Sequence, residues 1–324
     1  MEAPSVSLVI PVYNRPALIT DCLRSLAPSL NELVEVIVVD DGSTDGKTPQ
    51  AVEAAILAAG APAKIRLVQQ KNAGPGAARN TGAAAARGEW IAFLDSDDLW
   101  LPWSGRALRE AIQRNPQAVV IFGNARPFAR IGEVADWIEE AVSEKRHDDF
   151  FAVTRIKPRV IRIGSGYFAI RRETFAASTG FVPGLRGSED TDLFYRIASA
   201  GGYVSLEYPA LVARRTGGDD SLTLNMSALS EGLFYLMDGR RDGRYGPIRP
   251  EMDAALADLL AFWIHALFRG GWGREGYDLL LRQGGFGIMM RNGQRRAALK
   301  LIAVPLLSLI RPRNYSFSWR PRVS

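Results

Sequence analysis

The strongest constraint on this chain lies in its first hundred residues, where short apolar runs alternate with helix-forming segments. Val6–Val12 is an apolar run rich in β-branched residues, which fits a strand buried on both faces. Pro16–Leu26 reads as a helix with proline near its first turn. Val36–Asp40 is a second such strand and Pro49–Ala59 a second helix. Ile65–Gln69, Ala77–Arg87 and Trp90–Leu94 continue as strand, helix and strand, with Gly88 as a helix stop. This order predicts an α/β fold, a Rossmann-like, mostly parallel sheet flanked by helices.

Such a sheet binds ligands beyond the carboxyl ends of its strands. Polar residues gather at those ends. Tyr13 and Asn14 follow the first strand, Asp40-Asp41-Gly42-Ser43 the second, and Asp95-Ser96-Asp97-Asp98 the fourth.

Several chemistries are excluded by counts. One cysteine, Cys22, permits neither an intrachain disulfide nor a cysteine-cluster metal site. With only His147 and His265, zinc chemistry is disfavoured, and a Ser-His-Asp site would have to use one of them. The start, Met1-Glu2-Ala3-Pro4, lacks the basic region of a signal peptide. No uninterrupted apolar stretch reaches the roughly 18 residues of a membrane span.

After Trp100 the pattern is mixed. Trp103–Gln113 reads as helix, Ala118–Phe122 as strand and Trp137–Glu144 as helix. Val160–Ile163 and Tyr167–Ile170 flank Gly164-Ser165-Gly166 as strands around a turn. Asp190–Ala200 reads as a helix stopped by Gly201-Gly202. A boundary is expected near residue 225, separating a domain over 1–225 from a helical, basic region over 226–324. Helices are expected there at Met252–Phe268 and Tyr277–Leu281.

Four motifs carry chemistry. Carboxylates two apart at a strand end, as in Asp95-Ser96-Asp97-Asp98, can converge on one Mg²⁺ or Mn²⁺ with phosphate oxygens completing the shell. They equally suit a solvated acidic turn or a helix cap. Asp40–Gly46 can accept hydrogen bonds from base or ribose, or form an Asp-Gly turn. Asn72–Asn80 leads two glycines, Gly74 and Gly76, into a helix whose start can face a phosphate, with Arg79 available for a charge-assisted contact. In Ser188-Glu189-Asp190-Thr191-Asp192 the acids either complement a helix dipole or supply a general base whose pKa is raised by its neighbours.

Taken together, Val6–Asn14, Val38–Asp45, Asn72–Asn80 and Phe93–Asp98 resemble the family 2 glycosyltransferases in order and spacing, over about residues 5–100. Ser188–Asp192 resembles that family's acidic catalytic motif and extends the match to about residue 220. The resemblance implies a GT-A fold, with a nucleotide-sugar half over about 1–100 and an acceptor half over about 101–225. It also implies a nucleotide-sugar donor and inverting transfer. Pro11, Tyr13 and Asp41 would line the nucleoside pocket, and Asn14, Gly74, Arg79, Asp95 and Ser96 would also bind the nucleotide sugar. Asp97, Asp95 and Asp98 would hold the metal. Asp190 would be the catalytic base, supported by Glu189.

Two departures from the family pattern stand out. The His that many relatives place after the catalytic acid is missing, and Arg214-Arg215-Thr216-Gly217-Gly218-Asp219-Asp220-Ser221 stands there instead. Arg214 and Arg215 are candidates for stabilising the leaving group, and Asp219 or Asp220 for completing the metal shell. The Gln-x-x-Arg-Trp motif of processive synthases is absent, which favours single-sugar addition. The expected activity is transfer from a donor, UDP-linked by preference, to a glycan or lipid-linked saccharide. The rivals are a catalytically silent nucleotide-binding scaffold and a sugar-nucleotidyltransferase, whose basic Gly-rich signature is not found.

The net charge of +5 divides unevenly. Leu279–Ser324 carries nine Arg or Lys and no acid, leaving 31 basic against 35 acidic residues elsewhere. Basic residues interleaved with Leu299–Ile310 and Trp319 suit an interfacial segment on an anionic membrane, or a packed C-terminal helix with a solvated basic face. A cytoplasmic protein, peripheral on the inner face of the cell membrane, is expected. Nucleic acid is not an expected partner, because the acidic remainder would repel it.

Overall fold

The computed structural model describes residues 3–60, 63–154, 164, 166–216 and 225–310. Contacts group the chain into two compact units, Met1–Pro247 and Ile248–Ser324, a division later than the boundary expected near residue 225.

The first unit is built on an eight-stranded sheet. Its strands are β1 (Val6–Val12), β2 (Glu35–Asp40), β3 (Ile65–Gln69), β4 (Trp90–Phe93), β6 (Val120–Phe122), β8 (Ser143–His147), β9 (Phe168–Arg171) and β10 (Tyr203–Tyr208). Their order across the sheet is β3-β2-β1-β4-β9-β6-β10-β8. The β3-β2-β1-β4 half is parallel, and β9 and β8 are antiparallel to their neighbours. The chain order reverses at β1, so the carboxyl ends of β1 and β4 open onto a topological switch point. A smaller sheet joins β5 (Leu99–Trp100), β11 (Val212–Arg215) and β7 (Ala125–Phe128), in the order β5-β11-β7.

Helices cover both faces: α1 (Pro16–Ser25), α2 (Thr48–Ala58), α3 (Pro75–Ala85), α4 (Ser104–Arg114), α5 (Phe150–Thr154), α6 (Arg172–Ala177), α7 (Glu189–Arg196) and α8 (Met226–Arg241). Every residue of β1, β2 and β4 is buried, as runs without polar alternation require. An aromatic cluster anchors α7. Phe194 lies 4.8 Å from Phe122 and 4.9 Å from Phe168, centroid to centroid, and Phe168 lies 5.1 Å from Phe93.

One expected element is corrected. Trp137–Glu144 is not a helix: a short 3₁₀ turn covers Ile131–Val134, and β8 begins at Ser143. Ser143–His147 pairs antiparallel with β10, and Lys145 meets Glu207 at 2.6 Å across that pair. Tertiary pairing overrides the local helix preference. Val160–Ile163 and Ser165 lie outside the described residues, whereas Tyr167–Ile170 largely coincides with β9.

The second unit is helical. It contains α9 (Pro250–Arg269), α10 (Gly273–Tyr277), a π-helical turn at Asp278–Arg282, α11 (Gly285–Arg291) and α12 (Arg295–Ile310). Met252, Leu256, Leu260, Ile264 and Leu267 form the buried stripe of α9, which packs against α10, α11 and α12. Among the described residues, no helix is long and apolar enough to cross a membrane.

Candidate active site

Four loops meet beyond β1, β2, β3 and β4. Asn14 adopts a left-handed backbone (φ 51°), tolerable for asparagine. Its side-chain oxygen accepts from the N–H groups of Thr44 (2.8 Å) and Asp45 (3.1 Å), and its amide donates to Thr44 Oγ1. Asn14 therefore staples the loop after β1 to the loop after β2. Asp45 accepts from the backbone N–H of Thr48 at the start of α2 and from its hydroxyl, and Thr48 Oγ1 in turn accepts from Arg15 N–H.

Asp41 braces the third loop. Its oxygens accept from Gln70 Nε2 (2.7 Å), Ala73 N (2.9 Å) and Gly74 N (2.8 Å). Gly74 sits at φ 91°, a region that side chains resist, and Pro75 then opens α3. Pro11 is buried in β1 opposite Val39, and Ser96 is buried as well. Tyr13, 41% exposed, leaves its ring available at the rim.

Asp95, Asp97 and Asp98 each offer an oxygen, and these atoms lie within 4.8 Å of one another. Each acid also meets a basic residue from a different element. Arg79 Nη2 donates to Asp95 Oδ1 at 2.5 Å, Arg15 Nη1 lies 3.1 Å from Asp97 Oδ2, and Arg215 N–H donates to Asp98 Oδ1 at 2.8 Å. Tyr167 donates to Asp98 Oδ2 at 3.4 Å. Burial, then the charges of Asp95 and Asp97, push Asp98 up to about 8. Three hard-oxygen donors that are costly to keep ionised together are what a divalent cation relieves, so the residues fit one.

Arg79 links this cluster to the second acidic motif. It is buried, its Nη1 lies 3.7 Å from Glu189 Oε1, and its guanidinium stands 5.6 Å from the centre of the Phe181 ring. Its Nε and Nη1 are buried without a hydrogen-bond acceptor among the described residues, leaving donors whose partners are unmet. Glu189 is buried and Asp190 half-buried at the first turn of α7. Asp190 accepts from Thr191 N–H. Burial, then the Glu189 charge, push Asp190 up to about 7.

Arg215, a candidate already in the sequence, is joined by contributors that carry no sequence signal of their own. Arg215 donates from Nε to the Asp97 carbonyl, lies 3.5 Å from Asp21 and stacks over Phe128. Gly166 faces Asp95: a Cβ there would lie 3.0 Å from Oδ2. Gly187 (φ 74°) and Gly232 of α8 approach so closely that a Cβ on Gly232 would stand 2.2 Å from the Gly187 carbonyl. Spacing alone identifies none of these, since their partners are distant in sequence. Arg214 is half-buried in β11, and Asp219 and Asp220 lie outside the described residues.

Residues 7–178 match the profile of Glycosyl transferase family 2. The chain is 45% identical over 137 residues to EpsH of Bacillus subtilis (strain 168), which carries a glycosyltransferase name. That match covers 42% of this chain and 38% of EpsH, and the chain likewise spans little more than a third of the length of two uncharacterized Rickettsia glycosyltransferases that it matches. Residues 1–349 of S. aureus TarS, crystallised with UDP-GlcNAc, superpose with a TM-score of 0.67 at 19% identity, covering 97% of this chain and 94% of that one. The mannosyltransferase PcManGT of Pyrobaculum calidifontis, in complex with GDP-Man and Mn²⁺, gives 0.59 at 22% identity, covering 96% and 82%. These likenesses establish a GT-A-like fold. The profile match extends over more than half of the chain, and the chain belongs to glycosyl transferase family 2.

Proposed function

We propose that the chain is an inverting glycosyltransferase that moves one sugar from a nucleoside-diphosphate sugar, UDP-linked by preference, to a hydroxyl of a glycan or lipid-linked saccharide. The observation that carries this reading is Arg79, which spans from Asp95 to Glu189 and so brings both acidic motifs to one site. The family membership supports it, as do the neighbours crystallised with UDP-GlcNAc and with GDP-Man and Mn²⁺.

Asp95, Asp97 and Asp98 would hold Mg²⁺ or Mn²⁺, which when bound neutralises charge on the diphosphate. Tyr13 offers a face for the nucleoside base. Asp41 retains acceptor capacity for a base N–H beyond its three loop contacts, since a carboxylate has about four lone-pair sites. Asn14 and Gly74 serve by shaping the loops. The orphan donors of Arg79 suit a phosphate oxygen, and Arg214 can add charge there. Asp190 takes the proton of the acceptor hydroxyl as that oxygen bonds to the anomeric carbon. The bond from that carbon to the diphosphate oxygen breaks, its electron pair leaves with the nucleoside diphosphate, and one displacement inverts the centre. Glu189 raises the basicity of Asp190 through its charge.

Release of nucleoside diphosphate from a panel of nucleotide sugars tests the activity. The expected result is metal-dependent turnover of one donor and its loss in Asp190→Asn, with donor binding retained. Turnover near the wild-type rate in that variant would sink the assignment of the base.

The basic C-terminal region supports peripheral contact with the inner face of an anionic cell membrane. Arg295, Arg296, Leu299 and Lys300 are exposed on α12, a basic face around one leucine. Arg311, Arg313, Trp319, Arg320 and Arg322 lie outside the described residues. Flotation of the full chain with anionic liposomes, compared with a variant carrying Gln at 295, 296 and 300, decides it. Equal partitioning removes this face from the reading.

A further inference from the structure

We propose that Asn80 is a positioning residue for sugar transfer: it fixes the segment leading to Asp190 against the helix on the donor side, and so sets where the base stands relative to the leaving group. The inference rests on the reading of Asp190 as the base.

Asn80 stands next to Arg79 on α3 and directs its side chain at one distant residue. Its Nδ2 donates to the Phe181 carbonyl at 2.7 Å, and its Oδ1 accepts from the Phe181 N–H at 2.8 Å. One amide thus pairs with both backbone groups of a residue 101 positions away, and a single orientation of the amide satisfies both. The segment is shaped for this contact. Gly180 adopts φ 71°, and a Cβ there would overlap Asn80 Oδ1. Phe181 is fully buried, its ring centre 5.6 Å from that of Phe93 and 5.7 Å from that of Phe175.

The two ends of this contact are anchored to different parts of the site. α3 is tied to the donor side. The turn before it gives the N–H groups of Ala73 and Gly74 to Asp41, Thr81 donates to Gln70 Oε1 at 2.5 Å, and Arg79 donates to Asp95. Phe181 belongs to the segment that leads to α7, and Arg196 of α7 donates to the carbonyls of Ser178 and Gly180. That segment and the helix beginning with Glu189 and Asp190 are therefore held as one piece. Arg79 also faces Glu189, but at 3.7 Å and without a hydrogen bond, an attraction that fixes no direction. The paired hydrogen bonds of Asn80 do fix one. A base misplaced by about 1 Å can cost about 100-fold in rate, because the proton must lie within hydrogen-bond reach.

Calorimetry of the full chain with Mn²⁺ and UDP, or the nucleoside diphosphate of whichever donor the panel selects, counts the donor sites and measures their affinity. Release of that diphosphate from the donor then gives kcat per site. Asn80→Ala should keep the wild-type number of sites, with affinity within about twofold, while kcat per site falls at least about tenfold. Hydrogen exchange should rise over residues 178–190 and stay unchanged over 73–85. If the alanine variant folds poorly, Asn80→Asp keeps the size and the bond from Phe181 N–H but sets a carboxylate oxygen against the Phe181 carbonyl. It should show the same split. Fewer sites with wild-type kcat per site, or an affinity that falls as far as kcat, overturns the role of Asn80 and leaves the activity standing. Turnover near the wild-type rate in Asp190→Asn removes the base, and this proposal with it. No turnover of any nucleotide sugar by wild type overturns the activity as well.

Discussion

Tyr245 donates its hydroxyl to Asp192 Oδ1 at 2.9 Å, deep beneath the helix that presents Asp190. Asp192 is fully buried and also accepts from Arg196 Nε at 2.9 Å. Arg196 donates onward to the carbonyls of Ser178 and Gly180. The first turn of α7 is therefore fixed from two sides. Tyr245→Phe removes one hydrogen bond to a buried charge and should cost about 1.5–3 kcal/mol. Asp192→Ala leaves Arg196 without its carboxylate and should cost roughly 3–5 kcal/mol. Urea unfolding of the full chain checks both, and the order of the two losses is the discriminating result.

The pH profile should identify the base. The proposed base, Asp190, could work only when ionised, and its pKa is pushed up to about 7. Accordingly kcat/KM should climb about tenfold per pH unit below that value and level off above it. The Glu189 charge is one cause of the rise, so Glu189→Gln should move the inflection to lower pH. Asp190→Asn should lower kcat by roughly 100- to 10,000-fold. An inflection that stays in place in Glu189→Gln would assign the titration to another group.

What the sequence made legible follows from the range of the interactions involved. β1, β2 and β4 announce themselves because a strand buried on both faces is apolar throughout. Asp95, Asp97 and Asp98 are visible because adjacent residues at a strand end share one rim. The partners of those acids are not visible: Arg15 reaches Asp97, and Arg215 reaches Asp98, only once the sheet and β11 are assembled. For the same reason the contacts of Asn14 with Ser43–Asp45 are not visible, and Trp137–Glu144 gives way to the pairing of β8 with β10. A local pattern cannot report a partner supplied by a distant strand.

Gly166 should prove necessary for cation binding. Its position brings backbone against Asp95, and a Cβ would stand 3.0 Å from Oδ2 and 3.2 Å from the Asp95 nitrogen. Gly166→Ala must displace the carboxylate or the loop by a few tenths of an ångström. Mn²⁺ affinity should fall about tenfold, a loss of about 1.4 kcal/mol. Circular dichroism should stay unchanged, because a shift of a few tenths of an ångström leaves the secondary structure intact. Unaltered Mn²⁺ affinity would show that Asp95 is free to turn away.

Glu35 should set part of the acid sensitivity of the fold. Its carboxylate is buried against β1, accepting from Ser7 Oγ (2.9 Å), Arg87 N (2.7 Å) and Arg66 Nε (3.1 Å). Burial opposes its charge, but these donors outweigh it, chiefly Arg87 N–H and Ser7, and hold its pKa below the ordinary value of 4.5. A folded pKa below the unfolded one contributes stability that is present above the unfolded value and lost as pH falls through the folded one. Glu35→Gln removes that contribution and leaves acceptors and donors mismatched. It should therefore be less stable than wild type at pH 7, with the two melting temperatures converging as the pH falls below the ordinary value of 4.5 and through the lowered one. Melting temperatures from pH 7 to pH 3 measure this, and parallel curves would show that the charge of Glu35 contributes nothing.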